Sequence, residues 1–176
     1  MKRICCLLLA LFLLVSLAAC SIHPLMSNEK LLTLDDDDFF ETMMFRCMNP
    51  PNGIQAFSAT HEQKTYYTLM SFLLEVENGG LCQFFVNSSG ECAPYVSDSL
   101  EEVGALALKK RYDDFIADNQ IDVNDLSFFQ TEGSRDYEAL TKMFDFDSFD
   151  DVFYEDEDLR QIIIDYAREN IDNILL

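Results

Sequence analysis

The side chains with the most chemical reach in this chain are carboxylates, and they come in clusters. They fall at Asp35–Asp38, at Asp113 with Asp114, at Asp145, Asp147, Asp150 and Asp151, and at Glu155, Asp156, Glu157 and Asp158. Closely spaced carboxylates can exchange a proton as general acid and base, ligate a hard cation, or present a negative field to a basic partner. With 32 Asp and Glu in 176 residues, pairs arise from composition alone, so pairing by itself points to no reaction. Asp122-Val123-Asn124-Asp125 and Asp145-Phe146-Asp147-Ser148-Phe149-Asp150 offer oxygen ligands but lack the glycine and terminal glutamate of a calcium loop. His23 and His61 are isolated, and no local spacing brings His61 to Cys47, Cys82 or Cys92 as a nucleophile pair would need. Asn78-Gly79-Gly80 lacks the lysine of a phosphate-binding loop. The expectation is a protein that is not an enzyme, with no metal and no cofactor. A metal-dependent hydrolase built on the clustered carboxylates is the alternative. The run from Asp145 to Asp158 is the candidate acidic face for a basic protein, the competing reading being a surface that only solubilises.

Composition supports that ordering. Lys and Arg total 12 against 32 acids, a net charge of −20, with a pI near 4.1. A nucleic-acid binder needs the opposite sign, so no nucleic acid is expected as a ligand. Six Gly and four Pro are too few for a turn-rich all-β chain. The length allows one domain with a sizeable core.

The first twenty residues read as an address. Lys2 and Arg3 precede an apolar run from Ile4 to Ala19 interrupted only by Ser16. Sixteen positions are short for a bilayer span, and no basic stop-transfer cluster follows, although a retained anchor is the competing reading. Leu17-Ala18-Ala19-Cys20 resembles the lipobox of bacterial lipoproteins, which implies cleavage before Cys20 and a lipid on that cysteine. The organisation expected is a signal segment over 1–19, a tether over 20–33 around Pro24, and one domain over 34–176. The mature chain would keep 157 residues and a charge of −22, held at a membrane through Cys20 in the bacterial cell envelope, outside the cytoplasm. Three cysteines remain for the domain. Cys82 and Cys92 flank a Ser-Gly turn and could pair as a disulfide, the alternative being three buried thiols with Cys47.

The body reads as helices, a single compact all-α domain. Asp35 to Met48 opens on acids that complement the helix dipole and continues with Phe39, Phe40, Met43, Met44 and Cys47 at helical spacing. Thr60 and Gln63 have the spacing of a capping box, followed by an apolar stripe through Tyr66, Leu69, Met70, Leu73 and Leu74. Asn78-Gly79-Gly80 ends that stripe, and Leu81 to Val86 reads as a short helix with strand as the competitor. Ser99 with Glu102 predicts another helix start, and Gly104 inside it suggests close packing. Asn119 to Tyr137 reads as loop, and Asp158 to Leu175 as a last helix.

The stretch Glu77-Asn78-Gly79-Gly80-Leu81-Cys82-Gln83-Phe84-Phe85-Val86-Asn87-Ser88-Ser89-Gly90 is the most distinctive in the chain. Together with Leu100-Glu101-Glu102-Val103-Gly104-Ala105 and Phe146-Asp147-Ser148-Phe149-Asp150-Asp151-Val152-Phe153-Tyr154, it resembles the DNA-mimic protein C-terminal-domain family over roughly Asp35 to Leu176. The resemblance implies an all-α fold, no known catalysis and, in at least one member, copying of DNA charge to occupy a transcription factor. The lipobox departs from that picture, because DNA-binding partners are cytoplasmic. Asn78, Gly79, Gly80, Gln83 and Asn87 are then either a polar recognition motif or structural groups that cap helix ends. The expected role is a membrane-tethered acidic lipoprotein that binds a basic protein, with a homodimer left open. A cytoplasmic DNA mimic is the alternative.

Overall fold

The computed structural model describes residues 26–49, 60–130, 134–155 and 157–175, without the side chains of 134–136. The signal segment 1–19, Cys20, Pro24 and Asp156 lie outside the described residues. Nine helices, and no strand, occur among the described residues: α1 Asn28–Leu31, α2 Asp36–Met48, α3 His61–Val86, α4 Ala93–Glu102, α5 Leu106–Asp118, α6 Ser134–Met143, α7 Asp147–Asp150, α8 Leu159–Glu169 and α9 Ile171–Ile174. Two 3₁₀ turns, Ser88–Cys92 and Ser127–Phe129, join them. The all-α reading holds.

Helix α3 is the central element, packed against α4, α6, α7, α8 and α9. It is not one straight helix: Gly79 and Gly80 leave helical geometry, Gly80 at φ 80°, ψ 176°. That combination is nearly confined to glycine. The break turns the second segment back on the first. Phe84 lies 5.2 Å from Phe72, ring centroid to ring centroid, although twelve residues of unbroken helix would set them about 18 Å apart along the axis. Phe72 also meets Tyr112 at 5.7 Å, Phe149 at 6.4 Å and Phe153 at 5.8 Å. Edge-on contacts of this kind suit the ring quadrupoles and bury large apolar areas.

The ends of the elements explain their limits. Asp35 caps α2, accepting from the Asp38 N–H at 3.0 Å. Thr60 caps α3 by accepting from the Gln63 N–H at 3.0 Å, but the Gln63 side chain donates to the Ile174 carbonyl instead of closing the box. Arg168 lies over the Phe39 ring and bonds Asp36, while Arg160 lies over Phe40, so that α8 is fastened to α2.

Several expectations are corrected. The helix expected from Ser99 starts instead at Ala93, with Pro94 in its first turn, and Ser99 falls in its last turn. Gly104 does not pack closely. At φ 79° it has nothing within 4 Å of a Cβ position, and it ends α4 through bonds from Ala105 N–H to Leu100 O and from Gly104 N–H to Glu101 O. The stretch read as a tether to residue 33 already folds from Asn28, with Leu31 fully buried; four residues are too few to show a helical period. The loop read to Tyr137 gives way to α6 at Ser134, whose polar sequence hides the buried Leu140. The last helix breaks at Asn170, whose side chain bonds the Tyr166 carbonyl.

Gly80→Ala is expected to lower stability by about 2 kcal/mol or more, because it meets both forbidden dihedrals and a wall. Gly104→Ala meets only the dihedral and is expected to lower it by about 1 kcal/mol. Urea midpoints of the two variants separate the effects, and equal losses would show that the neighbour of Gly80 moves aside freely.

Candidate functional site

The wall beside Gly80 is Asp150. A Cβ on Gly80 would sit 2.1 Å from Asp150 Oδ2, and the Leu81 N–H donates to Asp150 Oδ1 at 2.8 Å. The carboxylate thus caps the restarted segment of α3 from a distant part of the chain. On the other side of the break, the Tyr137 hydroxyl donates to the Gly79 carbonyl at 3.1 Å. Burial raises the Asp150 pKa, with the nearby Asp147 and Asp151 adding to it and the Leu81 N–H opposing.

The rest of the Asn-Gly-Gly motif is likewise engaged. Gln83 and Asn87 donate to one oxygen of Glu75 at 2.7 and 2.8 Å, and Ser89 donates to the other at 2.7 Å. Glu75 therefore ties both segments of α3 and the following turn together. Asn78 is exposed at the end of the first segment. The bonds of Gln83 and Asn87 to Glu75 are those of the structural reading, and Asn87 also edges a groove of about 440 Å³ formed with Pro94 and residues 123–127.

The acidic run divides in the same way. Besides Asp150, Glu157 accepts from the Ala107 and Leu108 N–H groups at 3.1 and 2.9 Å, capping α5 from outside. Asp158 caps α8 through the Gln161 N–H at 3.0 Å. Asp145, Asp147, Asp151 and Glu155 are exposed. Asp147 and Asp151 stand one helical turn apart, joined by the Asp151 N–H to Asp147 O bond, so their side chains share a face at about 6 Å.

Asp145 also rims a groove of about 580 Å³ between α5 and α7, with Ala107, Phe115 and Phe149 as its apolar lining and Lys110, Arg111, Asp114 and Asp118 around it. Lys110 pairs with Asp114. Near Asp145, Phe128 and Met143 are exposed by 55% and 60%, and Phe128 leans on Phe144 at 5.9 Å. The surface combines apolar contact area with the carboxylates Asp114, Asp118 and Asp145 and the bases Lys110 and Arg111.

The thiols offer no comparable chemistry. Cys47, Cys82 and Cys92 are free and buried, so the Cys82–Cys92 pairing is not formed. The two have separate surroundings: Cys82 near Tyr137 and Asp150, Cys92 near Glu91, Ser71, Thr68 and Lys64. Burial pushes Cys47 and Cys92 up to about 12 and Cys82 up to about 11, leaving them as thiols at neutral pH. His61 is bound to Glu102 at 2.8 Å, and Glu102 also accepts from Thr65 and Tyr166. Asp122 and Asp125 accept from the Asn124 and Ser127 N–H groups of their own turns. Among the described residues, no three His, Cys, Asp or Glu side chains converge as a metal site, and no helix is long and apolar enough to cross a membrane.

Fold and surface define an all-helical acidic domain with a broken central helix and a groove edged by carboxylates. A family model described as DMP19-like protein matches residues 58–170, and the chain belongs to this DNA-mimic family. The matched span runs from the start of α3 through α8, narrower than the Asp35–Leu176 resemblance, and leaves out α2. No curated protein and no solved structure matches the chain.

Asp150→Ala is expected to lower stability by about 1 kcal/mol through the lost cap. Asp150→Asn keeps an acceptor for Leu81 and is expected to lie close to wild type at neutral pH. Because the folded pKa of Asp150 is raised, its contribution is largest at low pH and falls as pH rises through the folded value. Wild type should therefore gain stability relative to Asp150→Asn as pH drops from 7 toward 4 in calorimetric melts; a constant difference would contradict the burial of this carboxyl.

Proposed function

We propose that this chain is a non-catalytic, lipid-anchored lipoprotein of the cell envelope that binds a basic protein through the acidic groove between α5 and α7. The observation that carries the reading is the division of the acidic run: Asp150, Glu157 and Asp158 are engaged as caps, while Asp145 rims the groove and Asp147, Asp151 and Glu155 face solvent. A carboxylate row with turn-to-turn spacing is what DNA mimicry requires, and its field attracts a basic partner while repelling nucleic acid. The lipobox ending in Cys20 supports a partner outside the cytoplasm. Family membership favours a second reading, a cytoplasmic DNA mimic that occupies a DNA-binding protein, if Cys20 is not processed.

One experiment covers both parts. A photo-crosslinking residue replaces Ser148, which is exposed in the groove, and intact cells are irradiated with and without Asp118→Lys, Asp145→Lys, Asp147→Lys and Asp151→Lys together. The expected result is one adduct with a basic envelope protein, abolished by the charge reversals, on a chain whose intact mass begins at acylated Cys20. An adduct that survives reversal would remove the acidic face as the site. A soluble, unprocessed chain crosslinked to a DNA-binding protein would replace the envelope reading with the cytoplasmic one.

A further inference from the structure

The acidic groove is not the only exposed apolar feature. On the outward face of α2, Asp37, Asp38 and Glu41 are exposed, yet in the last turn Phe45 and Met48 replace acids, exposed by 37% and 60%. They are three residues apart and therefore share one corner of the helix. The acids Asp36–Asp38 lie at the other end, about 15 Å away along a helix that rises 1.5 Å per residue. The corner is also where the chain enters the fold. Arg46, between the two apolar residues, donates to the Met26 carbonyl at 3.1 Å and to Asn28 Oδ1 at 3.4 Å. The start of the described chain is thereby pinned against the turn that exposes Phe45 and Met48.

The number of residues between this corner and Cys20 sets a limit. Six peptide steps from Cys20 to Met26 reach at most about 20 Å even when fully extended. A lipid on Cys20 would hold Met26 within that distance of the bilayer surface, with the Phe45–Met48 corner a further Arg46 side chain away. A second contact tethered beside the anchor acts at high effective concentration, so a small patch suffices. Bases and acids meet where the chain enters: Arg46 and Asp172 both bond Asn28, and Glu29 and Lys30 follow it in α1.

We propose that Phe45 and Met48 form a foot that rests in the headgroup region of the bilayer carrying the lipidated Cys20, fixing which face of the domain points outward. The proposal rests on the lipoprotein reading above, and its test keeps the two apart. The chain has no Trp, so Met48→Trp introduces a single indole fluorophore at an exposed position, and Phe128→Trp provides the control at the other apolar patch. Each full-length protein is purified from membranes, its mass is measured, and it is reconstituted into phosphatidylethanolamine and phosphatidylglycerol vesicles with or without brominated acyl chains. The expected result is a blue shift and bromolipid quenching for the Met48→Trp protein but not for the Phe128→Trp protein, on a chain acylated at Cys20. An acylated Met48→Trp chain whose emission stays red-shifted and unquenched would overturn the foot while leaving the anchor intact. A blue shift that appears without lipid and grows with protein concentration would assign the corner to a second copy of the chain and overturn the membrane contact. A chain without acylation would remove the anchor and the foot together.

Discussion

The hydrogen bond from the Leu81 N–H to Asp150 joins residues 69 positions apart, and much of the domain is arranged around it. An unbroken helix over His61–Val86 would be about 39 Å long and would carry Phe84 and Phe85 away from Phe72. The Gly79–Gly80 break folds those rings back into one core, but it also exposes a carbonyl and an N–H that the helix would have satisfied. The N–H of the buried Leu81 left in that state would cost about 1–3 kcal/mol, whereas the Gly79 carbonyl lies at the surface. Tyr137 from α6 answers the carbonyl, and Asp150 from α7 answers the N–H. Both short helices are thereby fixed against α3, and with them Asp145, Asp147 and Asp151.

This arrangement gives the acidic composition two separate roles. Asp35, Asp150, Glu157 and Asp158 lie at helix starts, where N–H groups and the positive end of the dipole stabilise a carboxylate. Glu75 and Glu102 gather amide, hydroxyl and imidazole groups from several elements. A chain at −20 repels itself, and charges placed at helix ends convert part of that repulsion into attachment. Other acids stay exposed, Asp37, Asp38 and Glu41 on α2 and Asp147, Asp151 and Glu155 near the end of the chain among them, with Asp145 on the rim of the groove.

Local features of the sequence were readable and distant ones were not. The acidic helix start at Asp35, the Thr60 helix start and the glycine break each depend on residues within a few positions and stand in the structure, although Gln63 turns to the Ile174 carbonyl and leaves the expected capping box half made. Gly104 and Ser99–Glu102 misled because a glycine with positive φ and a spacing of three occur at helix ends as well as starts; Glu102 proved to be a receiver of Thr65 and Tyr166. Helices α6 and α7 were missed because their apolar content is small and their stability comes from contacts with α3. The partition of Asp145–Asp158 into caps and exposed acids could not be read, since Asp150 and Glu157 meet partners 69 and 49 residues away. The one hint was Gly80, whose missing Cβ leaves room for a side chain from elsewhere.

The dependence of the acidic face on the capped break can be tested most directly by amide hydrogen exchange on wild type and Asp150→Ala. The Leu81 amide and the amides of residues 145–155 should both be protected in wild type. They should lose protection together in the variant while those of α8 keep theirs. If residues 145–155 remain as protected in Asp150→Ala as in wild type, the face is held by its phenylalanines alone, and the bond to Leu81 is not what positions it.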